Sequence, residues 1–196
     1  MSASQNRPVA GLLLAGGKSS RMGQDKALLS LNGETLINRT WRVLKQVQCQ
    51  TVLICGQRPG GIADIYPGHG PLSGIHAGLR ALRTHVGLSR VVVVPVDMPR
   101  LSKALLQPLL EHPTSKPVHY QHAALPCVLP VTDELMHYLQ NALVQDYADH
   151  SVMALLREFK AEAITAPDAN AMLNTNTPEQ WQRLLKENAN EYRQTV

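Results

Sequence analysis

Aromatic side chains are scarce in this chain: one Phe, two Trp and five Tyr make up 4% of 196 residues. A surface that stacks bases needs more aromatic area than that. The 19 Lys and Arg are also spread along the chain and form no basic run. Nucleic acid is therefore not expected as a partner. Cysteine is scarce too. Cys49, Cys55 and Cys127 contain no CxxC pair and are odd in number, which argues against a disulfide framework. No histidines stand at zinc-ligand spacing with them. No apolar run is long enough to span a bilayer, and Met1 to Pro8 lacks the apolar core of a secretory signal. These absences predict a cytoplasmic protein with no membrane partner.

What is present suits a folded domain. Hydrophobic residues reach 44% and charged residues 17%, a balance that excludes extended disorder. The length suffices for one sizeable core, so residues 1–196 read as one domain with a flexible lead over 1–8. The formal charge of +4 favours an anionic ligand without identifying it.

The order of the patterns gives the fold class. Val9 to Ala15 is an apolar run closed by Gly16-Gly17, as expected of a strand buried on both faces. Lys18 to Lys26 reads as a loop, and Asn32-Gly33 as a turn. Leu36, Ile37, Thr40, Val43, Leu44 and Val47 recur at helical spacing. Thr51 to Cys55 and Val91 to Val96 read as further strands. Between them, Gly56 to Gly70 is a loop and Leu72, Ile75, Leu79 and Leu82 share one helical face. Ser102 is a candidate N-cap. This alternation predicts an α/β, Rossmann-like fold with a mostly parallel central sheet flanked by helices. After Pro113 the pattern changes. Pro117 to Gln121 and Ala124 to Leu129 predict a small β-hairpin in the C-terminal half. Helices are expected from Thr132 and Ser151, and a strand at Ala161 to Thr165. Thr177-Pro178-Glu179-Gln180 opens a last helix with a capping box.

Two segments carry chemistry. The first is Leu14-Ala15-Gly16-Gly17, followed by Arg21 and Asp25-Lys26. Open parallel sheets bind ligands beyond the carboxyl ends of their strands. A glycine pair there lets backbone N–H groups approach phosphate oxygens. Arg21 can grip phosphates with its fork, and Lys26 adds a compact charge. Both could stabilise a leaving pyrophosphate. The other reading is a solvated surface turn. The glycine spacing matches neither a Walker A loop nor a dinucleotide fingerprint. The second segment is Val91 to Pro99, which places Asp97 at a strand end. A carboxylate there can hold Mg²⁺ together with substrate phosphates, or it can cap the next turn.

Together these motifs resemble the molybdenum cofactor guanylyltransferase (MobA-like) family. The resemblance rests on Leu14 to Gly17, Arg21 to Gly23 and Asp25-Lys26. It continues through Gly70-Pro71-Leu72-Ser73-Gly74, Asp97-Met98-Pro99 and Asn174 to Glu179, and so runs from Val9 to about Trp181. It implies a nucleotide-binding half over about 9–112, an acceptor-binding half over about 113–181, and a C-terminal helix and tail over 182–196. It implies nucleotide contacts at Leu14, Ala15, Gly16, Gly17, Lys26, Asp64 and Asp97, catalytic roles for Arg21, Lys26 and Asp97, and Mg²⁺ on Asp97. Gly70, Gly74, Asn174 and Asn176 are candidates for the acceptor, although the two asparagines could equally cap and turn the chain. A family position that usually carries Asn falls near Cys55, which has no amide to offer a base. Asp64 could still accept from guanine N1–H and N2–H₂.

The implied reaction moves GMP from GTP to molybdopterin or the molybdenum cofactor. Molybdenum-insertion proteins and molybdoenzyme chaperones are the implied protein partners. The alternatives are a cytidylyl- or sugar-nucleotidyltransferase of the same fold, or a non-catalytic GTP-binding homologue.

Overall fold

The computed structural model describes residues 8–16, 25–145 and 147–194. In chain order the strands are β1 (Val9–Leu14), β2 (Ser30–Leu31), β3 (Glu34–Thr35), β4 (Thr51–Cys55), β5 (Arg90–Pro95), β6 (Val118–Tyr120), β7 (Cys127–Pro130) and β8 (Glu162–Ile164). The helices are α1 (Leu36–Gln46), α2 (Pro71–Leu82), α3 (Lys103–Glu111), α4 (Asp133–Val144), α5 (Val152–Glu158) and α6 (Pro178–Gln194).

Every residue of β1 is buried, because the strand has neighbours on both edges and helices on both faces. β4 and β5 pair with it in parallel, with Leu14 level with Cys55 on one side and Pro95 on the other. Three strand ends therefore open on the same edge. The six-stranded sheet runs β4-β1-β5-β7-β6-β8. β7 is antiparallel to both β5 and β6, so the hairpin expected near His122 belongs to the central sheet itself. A second hairpin, β2–β3, turns at Asn32-Gly33. Both residues have positive φ, 54° and 79°, as a two-residue turn between twisted strands requires.

Two cores result, one on each face of the sheet. Leu36, Val43 and Leu44 of α1, Leu105 and Leu109 of α3, and Trp181 and Leu184 of α6 pack on one face. Leu72, Ile75, Leu79 and Leu82 of α2 pack on the other with α4 and α5. The helix starts follow local rules. The Thr35, Ser102, Thr132 and Ser151 side chains each accept from a backbone N–H three residues on. At α6, Thr177 Oγ1 accepts from Gln180 N–H at 3.3 Å, and Gln180 Oε1 accepts from Thr177 N–H at 3.1 Å, completing the expected capping box. No described helix is long and apolar enough to cross a membrane.

Candidate functional site at the carboxyl ends of the parallel strands

β1 ends at Leu14, and Ala15 and Gly16 carry the chain out of the sheet. Ala15 N–H donates to Cys55 O at 2.8 Å, holding this exit against the end of β4. Gly56 follows with φ 145°. A Cβ there would come within 2.6–2.8 Å of Ala15 and Gly16 backbone atoms, so only glycine permits this approach. Gly17 and Arg21 lie outside the described residues.

On one side of this edge three side chains converge. A single 3₁₀ turn, Lys26–Leu28, presents Lys26, whose Nζ donates to Asn176 Oδ1 at 2.7 Å and lies 3.5 Å from Asp97 Oδ2. Residues 26, 97 and 176, distant in sequence, thus form one cluster. Asp97 stands just past the end of β5. Its other oxygen, Oδ1, is buried with no hydrogen-bond partner among the described residues. Burial raises its carboxyl above the usual carboxylate range, and the Lys26 ammonium opposes that shift. A half-buried carboxylate with one oxygen on a lysine and one vacant suits a hard cation. Among the described residues no three His, Cys, Asp or Glu side chains converge on one point. Of the described residues, Asp97 is the one that could hold a divalent ion here, in the way Mg²⁺ is bound by one or two carboxylates plus substrate phosphates.

Thr175 builds the floor of this cluster. It is buried, and both its N–H (2.9 Å) and its hydroxyl (3.3 Å) donate to Asp97 O. These bonds dock the Asn174-to-Thr177 segment onto the end of β5. Asn176 consequently reaches Lys26, and its own N–H donates to Gln180 Oε1 at 2.6 Å. Asn174 is exposed and has no side-chain hydrogen bond among the described residues.

On the other side, Asp64 approaches the amino end of α2. Its Oδ1 is buried without a partner among the described residues, and burial pushes its pKa up. A Cβ on Gly74 would lie 3.9 Å from Asp64 Oδ1, 3.4 Å from Cys55 Cβ and 3.1 Å from Leu14 Cδ2. Gly74 thus stands beside Asp64. Gly70 is the N-cap of α2, with φ 63° and no side chain to offer. The Cys55 thiol turns under α2, since a Cβ on Gly78 would meet its Sγ at 2.8 Å and Leu12 Cδ2 at 2.7 Å. Burial pushes this thiol up to about 12, so it is inert as a nucleophile. Cys127 is fully buried, as a small core residue.

Arg58 had no signal in the sequence, because it lies in a loop without period. Its guanidinium donates to Ala15 O at 2.7 Å and pairs with the Asp25 carboxylate at 3.1 Å. Gly56 and Thr175 were missed for the same reason: their roles are set by contacts distant in sequence.

The MobA-like NTP transferase domain model matches residues 11–171. The chain belongs to this family. A molybdenum cofactor guanylyltransferase from Xanthomonas euvesicatoria pv. vesicatoria is 39% identical over 186 residues, covering 93% of this chain and 97% of that one. A molybdenum cofactor guanylyltransferase from Pseudomonas fluorescens is 35% identical, covering 88% and 91%. The solved structure of molybdopterin-guanine dinucleotide biosynthesis protein A from Archaeoglobus fulgidus superposes with a TM-score of 0.71 at 20% identity, covering 92% of this chain and 99% of that one. That last likeness concerns the fold. It agrees with the expected α/β architecture.

Proposed function

We propose that this chain transfers GMP from GTP to molybdopterin or its molybdenum-loaded form, releasing pyrophosphate. The observation that carries the reading is the convergence of Lys26, Asn176 and Asp97 beyond β1 and β5, with Asp97 Oδ1 buried and without a hydrogen-bond partner among the described residues. Two relatives named as guanylyltransferases support GMP over a cytidylyl- or sugar-nucleotide reading.

A terminal phosphate oxygen of the acceptor attacks the α-phosphorus of GTP. The new P–O bond forms as the bond from the α-phosphorus to the β-phosphate oxygen breaks, and pyrophosphate departs with that electron pair. A phosphate monoester, with a second pKa of about 6, is already ionised at neutral pH. No general base is needed, and catalysis is positioning plus electrostatics. Asp97 would hold Mg²⁺, which supplies charge neutralisation on the triphosphate when bound. Lys26, released from Asp97, meets charge growing on the phosphates. Asn176 keeps the Lys26 ammonium aimed into the crevice. Leu14, Ala15 and Gly16 line the nucleotide with backbone. Asp64 accepts from guanine N1–H and N2–H₂, donors that adenine lacks in that arrangement. Gly70 and Asn174 border the crevice where the acceptor would enter. Such a reaction belongs in the cytoplasm, alongside the molybdenum-insertion proteins and molybdoenzyme chaperones that would handle its product.

The test is incubation with GTP, Mg²⁺ and molybdopterin, read by mass spectrometry. The guanine dinucleotide and pyrophosphate should appear in equal amounts. GTP binding without any dinucleotide would mark a non-catalytic homologue.

A further inference from the structure

Arg58 extends from a loop that is itself braced. Ile62 N–H donates to Ile54 O and Gly56 N–H to Ile62 O, each at 2.8 Å. Arg58 N–H donates to Gly56 O at 3.0 Å, and Gly61 N–H to Arg58 O at 2.9 Å. A Cβ on Gly61 would meet Arg58 Cγ at 2.8 Å, so the side-chain stem lies flat on this turn. The foot of Arg58 is therefore rigid.

Its head is half of a bridge. One guanidinium nitrogen donates to Ala15 O at 2.7 Å and lies 3.2 and 3.1 Å from the two oxygens of Asp25. The side chain is only 14% exposed, and its Nε is buried with no partner among the described residues. The fold tolerates that unsatisfied donor, although a shorter or apolar side chain would avoid it. Asp25 passes the constraint on. Its Oδ1 accepts from Ala27 N–H at 3.0 Å, and its carbonyl accepts from Leu28 N–H at 3.0 Å. These two bonds wind the turn whose first residue is Lys26.

We infer that Arg58 is a positioning residue for Lys26: it pins Asp25 to the end of β1, and Asp25 caps the turn that delivers the Lys26 ammonium to Asp97 and Asn176. Its part in turnover rests on the nucleotidyl-transfer reading. Its part in placing Lys26 stands without it.

The experiment has two arms on the full chain. In the first, wild type, Arg58→Ala, Arg58→Lys and Asp25→Asn are treated with a limiting amine-acylating reagent. Modification of Lys26 is followed by peptide mass spectrometry, with exposed Lys160 as internal standard. Lys26 should react about fivefold faster in Arg58→Ala, as local opening frees it from its cluster. Arg58→Lys can reach one anchor but not both, so it should fall between. In the second arm, Arg58→Ala should lower kcat about 10- to 100-fold, with a smaller change in KM for GTP. In a Lys26→Ala background the same substitution should cost less than about threefold, because its effect runs through Lys26. Unchanged Lys26 labelling in Arg58→Ala overturns the inference. So does an undiminished loss of kcat in the Lys26→Ala background, which would make Arg58 a direct ligand. If Arg58→Ala melts early, Arg58→Lys and Asp25→Asn decide the labelling arm by the same criterion. If the wild type makes no dinucleotide, the guanylyl reading fails while the labelling arm still decides Arg58.

Discussion

Two carboxylates face the crevice from opposite sides and are held differently. Asp97 has a cation 3.5 Å away, and its backbone carbonyl is gripped twice by Thr175. Asp64 has no ion-pair partner among the described residues. Its loop is tied down through Tyr66, whose carbonyl accepts from Ser73 Oγ and whose ring meets His76 at 5.4 Å. Burial raises both carboxyls, and only Asp97 has a lysine pulling back. The difference teaches a division of labour. On the proposed reading, the Asp97 side is a charge-paired cluster that would exchange Lys26 for phosphate and a divalent ion. The Asp64 side would be an acceptor for neutral N–H donors, its Oδ1 being without a partner among the described residues. Substitutions on the two sides should then fail in different ways.

The largest effect is expected at Asp97. Asp97→Asn keeps the shape and removes the charge that would retain Mg²⁺. Losing several kcal/mol of charge stabilisation should lower the rate at least about a hundredfold. Stability should hold or rise, because a carboxyl whose folded pKa is raised is disfavoured as the anion at neutral pH. Excess Mg²⁺ should recover part of the rate by mass action. A Mg²⁺ titration of initial rate, beside a melting curve, checks both. A wild-type midpoint and rate would remove Asp97 from the metal role. Lys26→Ala comes next, at about 2.7–4 kcal/mol by analogy with oxyanion donors, again with little change in melting temperature. A collapse in melting temperature with normal turnover would make Lys26 structural instead.

On the other side, Asp64→Asn should leave kcat with GTP mostly intact and erode the preference for GTP over ATP. Charged hydrogen bonds of about 1.5–3 kcal/mol set a selectivity loss of about 10- to 100-fold. Competition titrations of GTP and ATP measure it. An unchanged preference would place base recognition elsewhere. Gly78→Ala tests what lies beneath. Its Cβ would overlap Leu12 Cδ2 and Cys55 Sγ, so about 1–3 kcal/mol of stability should be lost by overpacking. Denaturant unfolding reads this, and no loss would mean that α2 can lift off the sheet freely.

The same contrast explains what the sequence could say. β1, β4 and β5 were legible because a short apolar run is a local pattern, closed by glycine after β1 and β4 and by Asp97-Met98-Pro99 after β5. So were the caps at Ser102 and Thr177 and the helix starts at Thr132 and Ser151, where one side chain satisfies one nearby N–H. Lys26 was found as a cation in the loop after β1 and Asp97 as a strand-end carboxylate, and their meeting with Asn176 was not, since nothing local joins positions 26, 97 and 176. Arg58 and Thr175 were invisible for the same reason: each acts on a backbone carbonyl more than forty residues away, Ala15 and Asp97 respectively. The position of Cys55 was legible through the family pattern. The turn of its thiol under α2 depended on the close approach that Gly78 allows.

The smallest effect expected is a pH dependence on the Asp64 side. His76 is 3% exposed on α2, its Nδ1 has no partner among the described residues, and its ring lies against Tyr66. Burial, and then the Arg80 charge, hold its pKa below the ordinary 6.5. The sign follows from linkage. The unfolded chain takes up this proton as pH falls through about 6.5, and the folded chain resists. The stability contribution of neutral His76 is therefore full above that value and is lost progressively as pH falls toward the depressed folded pKa. Asp64 and Asp97, with raised folded values, act in the opposite sense toward more acid pH. Comparing His76→Leu with the wild type isolates the histidine. Melting temperatures from pH 7.5 to 5.5 should decline less steeply in the variant, with the two curves closest in slope above about pH 7. Parallel curves across the range would mean that the folded protein accepts the proton on His76 as readily as the unfolded chain. The packing against Tyr66 and α2 would then be loose enough to hydrate the ring.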